Sequence, residues 1–430
     1  MVSQLTSSSL MVNGDRLMAS IYRLAQVGQL PNGGVQRLAF SAEDCCARTL
    51  VRSWMIQAGM TVRTDEAGNL IGRYPGRFND APALVTGSHI DTVPNAGHYD
   101  GTYGVLAGIE VVRVLAERDI LLDHPIEVIV FADEERTMIG CKAIAGQLLS
   151  DAEQYRSRDG ESVEVCLDRV GGSWAAIDQA RRTPHSVAAF VELHVEQGPV
   201  LTAMNKQIGI VTGIVGQRRY WIRIEGQASH AGTTPMSMRQ DALVAAAQAI
   251  LAINRIGNQP GDQVATVGRM QLQPNVPNSI PGLVEMSLDI RDLSNDRLDQ
   301  LVAEIQHEMR AIAIQTGTRI TLTQSLHNEP APANSHIQHA IAQTCQALDL
   351  SFCYLPSRAS HDAQEMARIT DMGMIFVPSE GGISHAETEY TNPADCTNGA
   401  TVLLHTLMQL DRHYHCPGKA QHRTAEFERE

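Results

Sequence analysis

Four short stretches of this sequence are apolar almost without interruption, and each runs out into histidine or acid: residues 83–85, 125–132, 186–195 and 374–378. A half-exposed strand would alternate apolar with polar. Continuous runs of this length predict strands buried on both faces, as in a parallel sheet covered by helices. In open sheets of that kind, sites gather where the strands end. The ends here carry Thr86-Gly-Ser-His89-Ile-Asp91, Asp133-Glu-Glu135-Arg136, His194-Val-Glu-Gln197-Gly198 and, after Ser379, the stretch to His385-Ala-Glu387. His89 and Asp91 are two apart and share a face on extended backbone. Imidazole ligates zinc-like metals, and a ligating histidine usually gives its other ring N–H to a carboxylate, for which Asp91 is the candidate.

Any one of these ends, taken alone, reads as an ordinary polar turn, because sixteen histidines are scattered through the chain. Recurrence at successive strand ends changes that reading. His89, Asp100, Glu135, His194 and His385 make a set of nitrogen and oxygen donors suited to two divalent ions that share one carboxylate. Neighbouring side chains on extended backbone point apart. Glu135 can therefore ligate while Glu134 faces a water and takes its proton as general base.

The chain has 430 residues, more than one ordinary core holds, and two domains are expected. Helical spacing predicts helices over 14–27, from a capping box at Ser41 to about 58, and over 105–115, 337–348 and 399–410. A hairpin is expected from 61–64 to 70–74. Between about 214 and 328 the pattern becomes strand (219–225), helix (238–254), strand (264–272), strand (283–290), helix (296–316), strand (319–323). That βαββαβ order predicts a ferredoxin-like α+β sandwich inserted into an α/β domain. The expected domains are thus 1–213 and 329–430 together, with 214–328 between them.

The formal charge of −14 argues against nucleic acid or an anionic membrane as partner, since both call for clustered Lys and Arg. An anionic substrate must meet positive groups placed locally. With neither a signal-peptide pattern nor an apolar run long enough to span a bilayer, a cytoplasmic location is expected. The eight cysteines show no CxxC pair, which favours reduced thiols. Cys45 and Cys46, within a helical pattern, are expected in the core, and the charged stretch 420–430 is expected to fray.

From about 15 to 411 the chain resembles the amidase, hydantoinase and carbamoylase branch of the aminoacylase/carboxypeptidase superfamily of binuclear metallohydrolases. Gly87-Ser-His-Ile-Asp91, His98-Tyr-Asp-Gly101, Asp133-Glu-Glu135, Glu192-Leu-His-Val-Glu-Gln-Gly198, Ser229-His-Ala-Gly-Thr-Thr-Pro235 and Gly382-Ile-Ser-His385 stand in that family's order. The resemblance implies a metallohydrolase domain with an inserted lid and dimerisation domain. It implies that His89, Asp100 and His194 hold one ion, that Asp100, Glu135 and His385 hold the other, and that Glu134 is the base. Zinc or manganese would be bound, with cobalt as a further choice. It further implies a homodimer in which His230 stabilises the oxyanion in the partner subunit's site, while Asn278, Arg291 and Gln197 contact the substrate and His361 lies at a substrate or supporting position. Read without the resemblance, His230 sits in a structural turn and Arg291, between two acids, is a surface ion pair. Arg358 and Ser360 depart from the two glycines of many members; Arg358 would either favour an extra acidic group on the substrate or pair on the surface. The implied activity is cleavage of a linear C–N bond in a small ureido or carbamoyl carboxylate, such as allantoate or an N-carbamoyl-L-amino acid. The alternatives are ureidoglycolate, a dipeptide or N-acyl amino acid, or a non-catalytic carboxylate-binding protein.

Overall fold

The computed structural model describes residues 10–414. The expectations for the first nine residues, for Cys416 and for the charged end of the chain lie outside the described residues. Two compact units form: one runs to Thr212 and resumes at Ala333, and the other is Gly213–Pro332.

The first unit begins with α1 (Gly14–Ala25), α2 (Ala42–Gln57), β1 (Thr61–Thr64), β2 (Leu70–Tyr74), β3 (Ala83–His89), α3 (Thr102–Glu117), β4 (Ile126–Phe131), α4 (Ile139–Ala145), α5 (Val163–Val170), β5 (Val187–Val195) and β6 (Ile208–Ile214), whose last residues pass into the second unit. That unit holds β7 (Gly216–Glu225), α6 (Ala242–Gly257), β8 (Val264–Thr266), β9 (Met270–Gln273), β10 (Leu283–Asp292), α7 (Asn295–Thr316) and β11 (Arg319–Asn328). The first unit then resumes with α8 (Ser335–Ala347), β12 (Phe352–Ser357), α9 (Asp362–Met366), β13 (Met372–Val377) and α10 (Pro393–His413).

The four apolar runs do form neighbouring strands. The sheet order is β1-β2-β4-β3-β5-β13-β6, with β12 also on β6. Its centre is parallel: β3 pairs with β4 and β5, and β13 pairs with β5, all in the same direction. Every residue of β3, β4 and β13 is buried. Alternation still decides what each side chain meets. Leu84, Val128, Val130, Val191, Leu193, Ile375 and Val377 join a core with Leu17 and Ile21 of α1, Val105, Ile109 and Val112 of α3, Ile341 of α8 and Leu403 of α10. Each such side chain contributes about 1.5–3 kcal/mol by leaving water. In the opposite parity Phe131 meets Phe190 edge to face at 5.8 Å.

Helix ends follow local hydrogen bonds. The Ser41 hydroxyl accepts from the Asp44 N–H at 3.2 Å, while the Asp44 carboxylate reaches one residue further back and accepts from Phe40 at 2.9 Å. α10 starts six residues before its apolar pattern does, because the Asn392 side chain caps Ala394 at 2.9 Å and Pro393 suits a first turn. α6 starts later than expected, where the Asp241 carboxylate caps Leu243 at 2.9 Å. The cysteine expectation needs correction: Cys45 is only partly buried and Cys46 is exposed. The inward stripe of α2 is Ala47, Val51 and Met55, and neither cysteine lies on it. The described cysteines are all free thiols.

In the second unit the order is β9-β10-β7-β11, with β8 also on β10, all antiparallel. The single strand expected over 264–272 is broken into β8 and β9. Ile222, Ile224, Val284, Met286 and Leu288 face Ala245, Ala249 and Ile253 of α6 and Leu301 and Ile305 of α7. Arg219, Trp221 and Arg223 alternate outward on the other face. This is an α+β sandwich, helices on one face of an antiparallel sheet. Among the described residues no helix is long and apolar enough to cross a membrane.

Gly87 in β3 lies next to the strand end that carries His89. Its φ is +144°, and a Cβ there would stand 2.0 Å from the Ile129 carbonyl oxygen of β4. Gly87→Ala should therefore destabilise the first unit by about 2–4 kcal/mol, seen as a lower thermal unfolding midpoint; an unchanged midpoint would contradict this packing.

Candidate metal centre

β3 ends at His89, and β5 carries His194 one residue from its end. Parity puts His89 with Val85 and His194 with Phe190, and Val85 and Phe190 are register partners, so both imidazoles leave one face of the sheet. Asp100 precedes α3, Glu134 and Glu135 follow β4, and His385 follows β13 with a left-handed φ of 56°. Gly101, at φ +62°, is where the chain passes the His89 ring; a Cβ there would lie 2.4 Å from it.

Asp100 is the meeting point. Its Oδ1 is 3.2 Å from His194 Nε2 and 3.7 Å from His89 Nε2, and its Oδ2 is 3.1 Å from His385 Nε2. Glu135 Oε1 is 3.7 Å from His385 Nε2, and Glu134 Oε2 is 3.5 Å from His89 Nε2. The five residues fall into two groups, His89/Asp100/His194 and Asp100/Glu135/His385, within each of which one donor atom per residue lies within 4.8 Å of the others. The Nδ1–H of His194 donates to its neighbour's carbonyl, Val195 O, at 2.8 Å, and that of His89 to Asp91 O at 3.0 Å. Both Nε2 atoms are thereby turned to the centre. The Asp91 carboxylate, expected to take the His89 proton, stands 3.9 Å away and accepts instead from the Glu135 N–H at 3.2 Å. The ring reaches the backbone carbonyl at that short spacing first, and Asp91 anchors Glu135.

Burial dominates the electrostatics. It works to raise Asp100, but the hydrogen bonds from His194 and His385 outweigh it and hold that carboxyl well below its ordinary value. His194, despite burial, is pushed up to about 9 by Asp100, and His385 is raised to about 9 chiefly by its hydrogen bond to Asp100. Burial, with Asp100 nearby, lifts Glu135 to about 7. Burial and the negative charges of Asp362, Glu135, Asp91 and Asp100 put Glu134 well above the usual range. Buried Glu135 Oε1 and Asp91 Oδ1 have no hydrogen-bond partner. Crowded carboxylates, an unpartnered buried oxygen and imidazole nitrogens turned inward are what divalent cations would satisfy, and the residues present fit them.

A third group, Glu192/His194/His361, is equally compact, but its atoms are committed. Glu192 accepts from the Ser88 hydroxyl at 2.7 Å and the Ala363 N–H at 2.9 Å, and His361 Nε2 bonds Ser357 Oγ at 2.9 Å. His361 stands edge-on to His194 with centroids 4.5 Å apart, buried and kept neutral by that burial and by His194. It packs behind a candidate ligand. Gln197, expected among substrate contacts, donates to Asp100 Oδ2 at 2.9 Å. Glu389 is the residue the sequence reading missed. Its carboxylate accepts from the Tyr99 and Asp100 N–H groups at 3.0 and 3.3 Å and shares the single Ser384 hydroxyl proton with Asp100 Oδ2, each carboxylate oxygen lying 3.2 Å from Ser384 Oγ. Glu387 alternates with it, and nothing in the local pattern distinguishes the two. Arg358 is exposed.

Within the second unit, His230 Nδ1 accepts from Gly232 and Thr233 at 3.1 and 3.2 Å, so its proton is on Nε2. His230 pairs with Ser279, next to Asn278. Arg291 bonds Asp289 through Nε at 2.9 Å, as the surface-pair reading expects. It pairs with Gln217, at the far end of β10 from Leu283, roughly 26 Å along the strand. The structure thus brings His230 and Asn278 together and holds Arg291 apart from them.

Residues 85–409 match peptidase family M20/M25/M40. The chain is 42% identical, over 93% of its length and 99% of the relative's, to an N-carbamoyl-L-amino acid amidohydrolase of Geobacillus stearothermophilus. It is 36% identical to an allantoate amidohydrolase of Bacillus subtilis, over 90% and 95% of the two chains. A crystal structure of an amidase of the hydantoinase/carbamoylase family from Burkholderia multivorans superposes with a TM-score of 0.87 at 37% identity, covering 94% of this chain and 99% of that one. The chain belongs to peptidase family M20/M25/M40, in its hydantoinase/carbamoylase branch. Within that branch it is an amidohydrolase, an enzyme of carbon–nitrogen bonds other than peptide bonds.

Because Asp100 belongs to both groups, Asp100→Ala should lower bound divalent metal more than His385→Ala does. Metal per chain after dialysis, read by mass spectrometry, checks this. Equal losses would remove Asp100 from the shared position.

Proposed function

We propose that this protein hydrolyses the terminal ureido or carbamoyl C–N bond of a small carboxylate such as an N-carbamoyl-L-amino acid or allantoate, with ureidoglycolate as the next choice. The observation that carries the reading is the Asp100 carboxylate divided between two histidine-containing groups, with Glu134 beside them. His89, Asp100 and His194 would hold one divalent ion and Asp100, Glu135 and His385 a second, zinc or manganese, with cobalt also compatible with this donor set. When bound, the ions supply Lewis-acid polarisation and make water acidic near neutral pH.

The remaining work falls to the chain. Glu134 takes a proton from the water as its oxygen bonds to the carbamoyl carbon, and delivers that proton to the nitrogen that leaves. Hydrolysis of the carbamoyl group then yields ammonia, carbon dioxide and the freed amine. Gln197 donates to Asp100 Oδ2 at 2.9 Å, and the Ser384 hydroxyl, shared with Glu389, lies 3.2 Å from the same oxygen, which holds the donor set against rotation. His361 packs behind His194. His230, with its proton on Nε2, has the donor that a developing oxyanion needs. Asn278 and Arg291 are assigned to the substrate carboxylate, for which a guanidinium fork is suited. The separation of Arg291 from His230 and Asn278 supports a homodimer in which one site draws Arg291 from one copy and His230 with Asn278 from another. On this reading the first unit is catalytic and 213–332 serves as lid and dimerisation unit, positioning substrate by closure.

Glu134→Gln should retain its metal yet lose kcat by about 10²–10⁴-fold; a near-normal rate would remove Glu134 as base. For the substrate, metal-loaded enzyme is incubated with N-carbamoyl amino acids, allantoate, ureidoglycolate, dipeptides and acetyl amino acids, once with zinc and once with manganese, and ammonia and amine are measured. Ammonia from a ureido compound is expected, and turnover confined to dipeptides or acetyl amino acids would sink the proposed class.

A further inference from the structure

A cavity of about 160 Å³ opens beside α2, and its lining is unusually rich in guanidinium. Arg48, Thr49 and Arg52 come from one face of α2, Thr64 from β1, Leu70 from β2 and Arg169 from the last turn of α5. None of these residues belongs to either metal-ligand group. Two carboxylates partly offset the three cations. Arg48 Nε bonds Asp44 at 3.0 Å, and Arg169 is gripped by Glu161 at 2.9 and 3.0 Å. Arg52 meets only neutral oxygens among the described residues, Thr64 Oγ1 at 2.8 Å and Val62 O at 3.4 Å. The lining therefore keeps a positive charge.

Arg48 is fixed in place: its side chain is 9% exposed, and its Nη1 donates to the Gly68 carbonyl at 2.6 Å.

We propose that this cavity binds a tetrahedral oxyanion of the phosphate class. Guanidinium groups contributed by two helices call for acceptor oxygens in more than one plane. A tetrahedral anion offers these, whereas a carboxylate has two oxygens in a single plane. Arg52 supplies the uncompensated charge.

The test titrates inorganic phosphate into the metal-loaded full-length protein by calorimetry, for the wild type, Arg52→Gln and Arg52→Lys, with acetate in a parallel arm. Phosphate taken up by the metal centre is common to all three proteins, so the difference between them reports this cavity. The expected result is a phosphate-binding event in the wild type that weakens about tenfold or more in Arg52→Gln, with Arg52→Lys in between and acetate far weaker than phosphate. Equal phosphate affinity and stoichiometry in the wild type and Arg52→Gln would overturn the proposal, and acetate binding as tightly as phosphate would overturn the tetrahedral class. Should Arg52→Gln fail to fold, wild-type crystals grown in phosphate decide: tetrahedral density among Arg48, Arg52 and Arg169 upholds the site, and solvent there refutes it.

Discussion

The carboxylate of Asp100 is the constraint from which the rest of the candidate centre follows. It is buried, and burial alone would neutralise it; hydrogen bonds from His194 and His385 keep it charged. Its two oxygens face different partners, Oδ1 towards His194 and His89, Oδ2 towards His385, Gln197 and Ser384. Its main chain is fixed as well, because Glu389 accepts from its N–H and from that of Tyr99. The residue that follows must be glycine, since any Cβ at Gly101 would enter the His89 ring. Side chain and backbone are thus specified together, so that one carboxylate can serve two groups of donors without a choice of rotamer.

That arrangement requires the sheet to close in a particular order. β13 lies between β5 and β6, parallel to the first and antiparallel to the second. Phe376 of β13 is the register partner of His194, and the segment after β13 carries both His385 and Glu389. The centre therefore unites residues from the two sides of the 213–332 unit. The His385 hydrogen bond and the Glu389 carboxylate both reach Asp100 from the returning segment, so the centre depends on contacts between residues nearly 300 positions apart, such as that of Glu389 with Asp100.

Much of this was legible in the sequence, for a physical reason. A strand buried on both faces must be apolar throughout, so a polar residue at its end stands out, and His89, Glu135, His194 and His385 were found this way. The order of elements in 213–332 was legible from a change of period. Less visible were features that depend on distant partners. Asp91 was matched to His89 by spacing, yet the ring takes the Asp91 carbonyl and the carboxylate takes the Glu135 N–H. Glu389 could not be told from Glu387, because its role arises from the loop meeting Tyr99 and Asp100. The short helices α4, α5 and α9 were absent from the sequence reading, having too few turns to display a period. Cys45 and Cys46 were misjudged because apolar spacing in α2 fits more than one stripe until the sheet selects Ala47, Val51 and Met55.

The same buried charges bear on how the proposed base would work. Among the protein's own groups, burial and the charges of Asp362, Glu135, Asp91 and Asp100 hold Glu134 well above its ordinary pKa. A raised carboxyl pKa favours the protonated form, which cannot accept a proton from water. Cations next to Asp100 and Glu135 reverse that balance, because positive charge favours the ionised carboxylate. On the proposed reading, divalent ions held by Asp100 and Glu135 would keep Glu134 ionised and able to accept a proton from water.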